Sequence, residues 1–364
     1  MKTQLLYRAI FAFLLVPTLV LANNNPTWNG KHTKEKTIKK EFTVNTNAML
    51  KVNNSYGNVN VITYSGNKTL IEVTIKTNSN DEDKAQKKLD EITVEFNGSA
   101  DFVSAKTIFN KNKSNSWWNW GKNNNVNMEI NYVIKLPITN SVDLNNDYGS
   151  INLDKLEGRA IINCDYGKIT TKELMADNNS ISFDYTHNSY FEYIKSGKIN
   201  ADYSDYTVSK TKSLDINADY TKSVVKIAED VSYNCDYGSI TIEKANNVTG
   251  NGDYLTTVIG DVYKNVGIEA DYGSIKIGKM TANAGNLTIE SNYTGITIGY
   301  DSAYTFKFDI DLEYASLRDS DGFEFTKKKV ESTDKYYQGY YGSSSSLNMI
   351  RIKSDYGSIS FKRN

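Results

Sequence analysis

Histidine, cysteine and proline are nearly absent, at two, two and three residues in a chain of 364. The shortage of histidine bears first on chemistry. His32 and His187 are the only imidazoles, and neither lies beside a nucleophile motif. There is no His-x-x-x-His pair, no phosphate-binding glycine loop and no cysteine cluster. Arginine is also sparse, and Arg159, Arg318, Arg351 and Arg363 form no evident constellation with acidic residues. Hydrolytic metal sites, nucleotide-dependent transfer and thiol catalysis are therefore not expected, and no cofactor is. A surplus of one charge is missing as well. With 42 basic and 43 acidic residues the net charge is -1, so no global field draws the chain to nucleic acid or to an anionic membrane.

Long apolar runs are missing beyond the first two dozen residues. Lys2 and Arg8 precede the apolar stretch 9–21, which is too short for a stable span, and Val20-Leu21-Ala22 fits a small-residue cleavage site. Residues 1–22 are expected to be a signal peptide. The protein is then exported to the periplasm, the outer-membrane surface or the medium, with no transmembrane span after cleavage. Scarce proline leaves long stretches free to pair as strands, and Ile, Val, Thr and 26 tyrosines favour that outcome over disorder.

What is abundant is also periodic. Tyrosines at 148, 166, 185, 203, 220, 237, 254, 272, 293 and 314 follow one another at steps of 17 to 21 residues. Tyr56 and Tyr356 carry the same flanks, and Tyr356 follows Tyr314 after two such steps. Four residues before the tyrosine, ten of the twelve copies have Ile, Leu or Val. Two before it the residue is usually small, as at Cys164, Ala201, Ala218 and Cys235. One and three before it stand polar residues, often Asp and Asn. This is period-two alternation, with one face buried and one wet. Apolar residues resume three and five positions after the tyrosine, as at Ile240 and Ile242. Each unit reads as strand, turn, strand, turn.

A unit of ~18 residues cannot bury its own apolar face, whereas a stack of such units can. The expected fold is all-β, a parallel β-helix or β-solenoid of ~18-residue rungs with an N-terminal mixed α/β cap. The array covers 141–364, and 23–140 forms the cap, with one repeat copy at Tyr56 and a short helix near 81–92. The first cap strand is expected near 42–45, with His32 in a flexible lysine-rich lead. Export alone would favour a disulfide, but the register sets Cys164 and Cys235 four units, or ~19 Å, apart. Two buried free thiols are expected instead.

The entry Val52-Asn53-Asn54-Ser55-Tyr56-Gly57, the segment Tyr132-Val133-Ile134-Lys135-Leu136-Pro137 and the repeated Asp-Tyr-Gly-Ser-Ile carry a resemblance. The chain resembles the putative adhesin family of exported bacterial β-strand-repeat proteins, related to the head-domain auto-transporter adhesin group. The family name implies adhesion. The tryptophan-rich insertion departs from the family pattern and cannot be read from it.

Several columns and loops are candidates for recognition. The aspartates 147, 165, 184, 202, 219, 236, 253, 271 and 355 would stack ~4.8 Å apart, repelling by roughly 0.9 kcal/mol per pair in water. Each is expected to accept backbone N–H bonds in its own turn; a ladder of cation sites is the alternative. The tyrosines share the parity of buried positions and are expected to pack at the corner of the coil rather than form a sugar-stacking face. The glycine that follows in six copies suggests a turn with positive φ. Trp117, Trp118 and Trp120 in an Asn/Lys-rich segment, and Tyr336, Tyr337, Tyr340 and Tyr341 in the stretch 331–346, read as exposed loops. These loops are the candidate surface for a glycan or cell-surface protein; packing of the tryptophans back onto the repeats is the other reading. The functional expectation is a non-catalytic adhesion or surface-interaction scaffold. The alternative is a polysaccharide lyase or hydrolase on the same scaffold.

Overall fold

A computed structural model describes residues 28–110 and 126–364. Twenty-seven strands join in one continuous sheet, and the single helix among these residues spans Glu82–Glu91. The protein is all-β. No helix among the described residues is long and apolar enough to cross a membrane.

The repeats pair in parallel, each residue facing its counterpart in the next copy. The column four before the tyrosine runs Val52, Leu144, Ile162, Ile181, Ile199, Ile216, Tyr233, Gly250, Ile268, Ile289, Ile352 and Ile310. The aliphatic members of this column are buried. Its two exceptions are neighbours and explain each other. A Cβ on Gly250 would lie 1.9 Å from Cζ of Tyr233, so the glycine supplies the room that the buried tyrosine ring fills.

The order of that column also corrects an expectation. The copy at Tyr356 does not follow the copy at Tyr314. Strand Met349–Asp355 lies between Leu287–Asn292 and Phe306–Glu313, parallel to both. Strand Ser358–Arg363 likewise lies between Gly295–Tyr300 and Ser316–Arg318. The last segment of the chain is threaded into the interior of the stack.

Antiparallel strands close both ends. At one end Phe102–Phe109 and Asn127–Pro137 stack on the Tyr56 copy, covered in turn by Ile92–Gly98 and Lys68–Ser79. The outermost strand there is His32–Thr43, paired along its whole length with Lys68–Ser79. Residues 32–41 are therefore strand, not flexible lead. The alternation that escapes notice is lysine-based: Lys34 and Lys36 are the half-buried positions, one bonded to Glu82 and the other to the carbonyl of Leu89. The helix Glu82–Glu91 begins at Asp81, whose side chain accepts the Lys84 N–H, and it buries Ala85 and Leu89.

At the other end, Asp334–Tyr341 lies between Phe306–Glu313 and Phe323–Val330, antiparallel to both. The stretch 331–346 is thus mostly a central strand of the closing hairpin and not a loop. Tyr337 and Tyr341 are buried, with Gly339 between them on the same face. A side chain at Gly339 would collide with Phe308 and with the Glu324 carbonyl. The loop-like composition of this stretch is an alternation of large and small inward residues, Tyr337, Gly339 and Tyr341.

Cys164 and Cys235 are free and buried, as the register requires. Burial pushes both thiols up to about 12. Native protein at neutral pH is expected to resist iodoacetamide. Unfolding without reductant should then expose two alkylatable thiols, and a mass spectrum showing a 164–235 bridge would contradict the register.

Candidate functional site

The tyrosine column is the most regular surface of the molecule. Its order is Tyr56, 148, 166, 185, 203, 220, 237, 254, 272, 293, 356 and 314, with ring centroids 4.6–5.2 Å apart and planes within 7° of parallel. Phe109 closes the Tyr56 end edge-on at 6.1 Å. Except for Tyr56, which is more covered, these rings are 45–53% exposed. The rings do sit and pack at the corner, but the expectation that they share the burial of the inward positions is overturned: they stand outside and pack on one another.

The backbone explains how parity misled. Every column tyrosine has φ between 50° and 63°, in the left-handed region. One residue in that conformation turns the chain through a corner and swings its side chain out of the alternation. The cross-repeat ladder continues through it, because Tyr148 N–H donates to the Asp165 carbonyl, Tyr166 to Asp184 and Tyr220 to Asp236. A left-handed non-glycine residue costs roughly 1–2 kcal/mol. Two stacking contacts of about 0.5–1.5 kcal/mol each offset that cost. Replacing Tyr220 separates these terms. Tyr220→Ala keeps the backbone cost and loses both stacks, whereas Tyr220→Gly loses the stacks but relieves the backbone. Denaturant melts should show Tyr220→Gly the more stable variant by about 1 kcal/mol; equal stability would contradict the strained-corner account.

The glycines after the tyrosine have another purpose than the positive φ expected of them. None of the six is in the left-handed region. They sit where a Cβ would strike the neighbouring repeat: 1.9 Å from the Gly57 carbonyl oxygen at Gly149, and 2.0 Å from that of Gly149 at Gly167. Where the position carries Thr or Ser, the hydroxyl turns inward and bonds backbone carbonyls. Thr221 donates to those of Ala201 and Asp219, and Ser204 to that of Asp202.

The aspartates form a second column beside the tyrosines. Their carboxylates do not serve their own turns. From Asp165 to Asp236 each Oδ1 accepts the backbone N–H of the next copy: Asp184 donates to Asp165, Asp202 to Asp184, Asp219 to Asp202, Asp236 to Asp219 and Asp253 to Asp236, at 2.8–3.2 Å. Asn292 donates both its backbone and side-chain N–H to Asp271. These bonds offset the repulsion along the row. Other columns instead pair opposite charges across repeats, as Lys155–Glu173, Lys172–Asp154 and Lys195–Asp177 do.

Among the described residues no cluster of three or more acidic, histidine or cysteine side chains is arranged to hold a metal. Desolvation first, then the charges of Asp236 and Asp271, raise the carboxyl of Asp253 above the usual aspartate range. A raised folded-state value means that ionisation opposes folding. The stability linked to this proton is present at low pH and is lost as pH rises through the folded value. Asp253→Asn keeps an oxygen acceptor and removes the charge. It should be neutral or slightly stabilising at pH 7, with the gain shrinking as the pH falls through the carboxylate range. A loss of stability at pH 7 would contradict this.

Asp253, Asp271 and Asp355 also line a groove of about 520 Å³ with Glu269, Glu290 and Lys353. His187 places Nδ1 2.8 Å from Asp205 Oδ2 on the surface. No hydroxyl or thiol is bonded to the imidazole among the described residues, so the pair lacks a nucleophile.

Of the residues singled out from sequence, Trp117, Trp118 and Trp120 lie outside the described residues. Tyr336, Tyr337, Tyr340 and Tyr341 belong to the closing hairpin. The Tyr336 hydroxyl donates to Asp309 Oδ2 at 3.1 Å under the Lys327 ammonium, which lies 4.9 Å from its ring, and Tyr341 packs on Tyr300 and Phe306. Period-two parity assigns the tyrosines to the buried face, whereas they form the exposed column. The available signal was the constancy of tyrosine while its inward neighbours varied between glycine and leucine.

No protein-family model matches the chain, and no curated protein matches it. Solved structures resemble it at low identity. A putative adhesin from Parabacteroides merdae is 12% identical over 90% of this chain and 96% of its own, with a TM-score of 0.36. A putative adhesin from Parabacteroides distasonis is 13% identical over 92% and 98%, with a TM-score of 0.33. A crystal structure described as a putative lipid binding protein, also from Parabacteroides distasonis, is 11% identical over 89% and 96%, with a TM-score of 0.28.

Proposed function

We propose that the protein is a non-catalytic, exported β-solenoid that serves adhesion or contact at a cell surface. In this reading residues 1–22 direct export, 23–140 cap one end, and the stack from 141 onward is the scaffold. The observation that carries it is the unbroken tyrosine column with its flanking aspartates. Twelve repeats present the same phenol edge, nine of them with an aspartate beside it, at one spacing, so a partner with a repeating surface meets many equivalent weak contacts at once. Ring faces are occupied by neighbouring rings along the column, so the groups on offer are edges, hydroxyls and carboxylates. A glycan or a cell-surface protein matches these donors and acceptors.

The test is an array of glycans and surface glycoproteins probed with the protein and with the triple variant Tyr203→Phe, Tyr220→Phe, Tyr237→Phe, which keeps the stack but removes three hydroxyls. Binding without turnover, weakened in the variant, is expected. Failure to retain any glycan or surface protein would sink the proposal.

The acidic groove favours a second reading, a polysaccharide lyase, because it sets carboxylates beside Lys353. Formation of unsaturated sugar product that disappears in Asp271→Asn would establish that reading instead.

A further inference from the structure

We propose that the tyrosine column is a site of oxidative cross-linking, in which dityrosine bonds join neighbouring repeats covalently. Three observations carry this. Neighbouring rings are within 5.2 Å, centroid to centroid, at every step from Tyr56 to Tyr314. Their planes are nearly parallel, so each ring is close to a translated copy of the next, and equivalent Cε carbons lie about one ring spacing apart. Every column tyrosine but Tyr56 is about half exposed, so an oxidant reaches the phenols and the side chains have room to swing together.

The chemistry is balanced by a peroxide, delivered through a haem peroxidase. The enzyme's oxidised haem takes one electron from each of two phenols, and each phenol releases its hydroxyl proton. The two phenoxyl radicals form one carbon–carbon bond between the Cε atoms ortho to their oxygens. Each ring then moves its Cε hydrogen to oxygen, which restores both hydroxyls and both aromatic rings. In sum two tyrosines and one hydrogen peroxide give one dityrosine and two waters.

Position decides which tyrosines react together. A radical on an isolated exposed ring such as Tyr190 or Tyr263 must wait for another molecule. A radical in the column already touches its partner, so coupling is intramolecular and independent of protein concentration.

The threading of the last repeat makes the pattern diagnostic. Tyr356 stacks on Tyr293 at 4.6 Å and on Tyr314 at 4.8 Å, and it separates the two.

The experiment treats dilute folded protein with haem peroxidase and hydrogen peroxide, isolates the monomer by size and maps cross-linked peptides by mass spectrometry. Expected are dityrosine in the monomer and pairs such as 203–220, 220–237, 293–356 and 314–356, with no 293–314 pair. The Tyr203→Phe, Tyr220→Phe, Tyr237→Phe variant should lose every pair that contains those positions and keep 293–356. Dityrosine found only in covalent dimers would overturn the proposal. So would pairs centred on Tyr190 and Tyr263, a 293–314 pair, or no dityrosine while the protein unfolded in denaturant, then desalted into the same reaction, does form it.

Discussion

Deleting residues 349–364 is expected to disorder the whole closing hairpin, 306–341, and not merely to shorten the stack by one copy. The reason is the threading. Among the described residues Met349–Asp355 is the only parallel neighbour of Phe306–Glu313, and it also carries the edge of Leu287–Asn292. Its removal takes away the buried side chains Ile350, Ile352, Ile359 and Phe361. At about 1.5–3 kcal/mol for each fully buried residue, the direct loss is roughly 6–12 kcal/mol. It also bares Ile289, Ile296 and Ile298 on one side and Ile310 on the other. The hairpin cannot simply step down one place. Tyr293 N–H now donates to the Asp355 carbonyl, and Tyr356 N–H to that of Glu313. Re-pairing 287–292 directly with 306–313 would require the chain between them to move by a full repeat.

Hydrogen exchange should show full loss of amide protection over 306–341, fraying back to about Tyr272, and near-native protection in the copies from Tyr148 to Tyr254. Repeat arrays lose protection locally in this way because each copy contacts only its neighbours. Retained protection over 306–341 would mean that Tyr356 follows Tyr314 in space, as it does in the chain.

That threading marks a boundary of what one sequence discloses. The spacing of tyrosines fixes which residues face one another, and the facing pairs Ile162–Ile181 and Ile199–Ile216 follow from it directly. Spacing is silent on the order of copies when two candidate neighbours carry the same motif. Ile352 fits beside Ile289 as well as beside Ile310, and in fact it lies beside both. The corner was illegible for a different reason. Period-two reasoning assumes extended backbone at every residue, and one left-handed tyrosine per copy breaks the count at the very residue it was meant to place. The aspartate column was half legible. Its stacking and its need for compensation followed from charge, but the donor came from the neighbouring copy, and no local pattern records that bond. The closing hairpin misled because Tyr-Gly-Tyr is read as loop until Phe308 is known to fill the space above the glycine.

One compensation was present in the sequence and is testable in isolation. The residue two before the tyrosine and the residue after it point into the same space. Cys164 stands with Gly167, and a Cβ on that glycine would lie 2.9 Å from the Cys164 sulfur. Gly252 stands with Leu255, and a Cβ on that glycine would lie 2.8 Å from the leucine Cδ2. Ala218 stands with Thr221, an intermediate division of the same volume. Gly167→Thr alone is therefore expected to cost about 3 kcal/mol, since it forces a side chain against the sulfur and the Gly149 carbonyl. Cys164→Ala alone should cost about 1–2 kcal/mol for the cavity it leaves. Together the two changes recreate the Ala218–Thr221 arrangement, in which the hydroxyl donates to the carbonyl two residues before it and to one in the neighbouring copy. The double variant should therefore be more stable than Gly167→Thr, with a coupling larger than the cost of Cys164→Ala and so about 2–3 kcal/mol. Strict additivity in denaturant melts would show that the two positions do not share their space. A double variant only equal to Gly167→Thr would mean that the threonine fills the cavity of Cys164→Ala while its own cost stays in the contact with the Gly149 carbonyl.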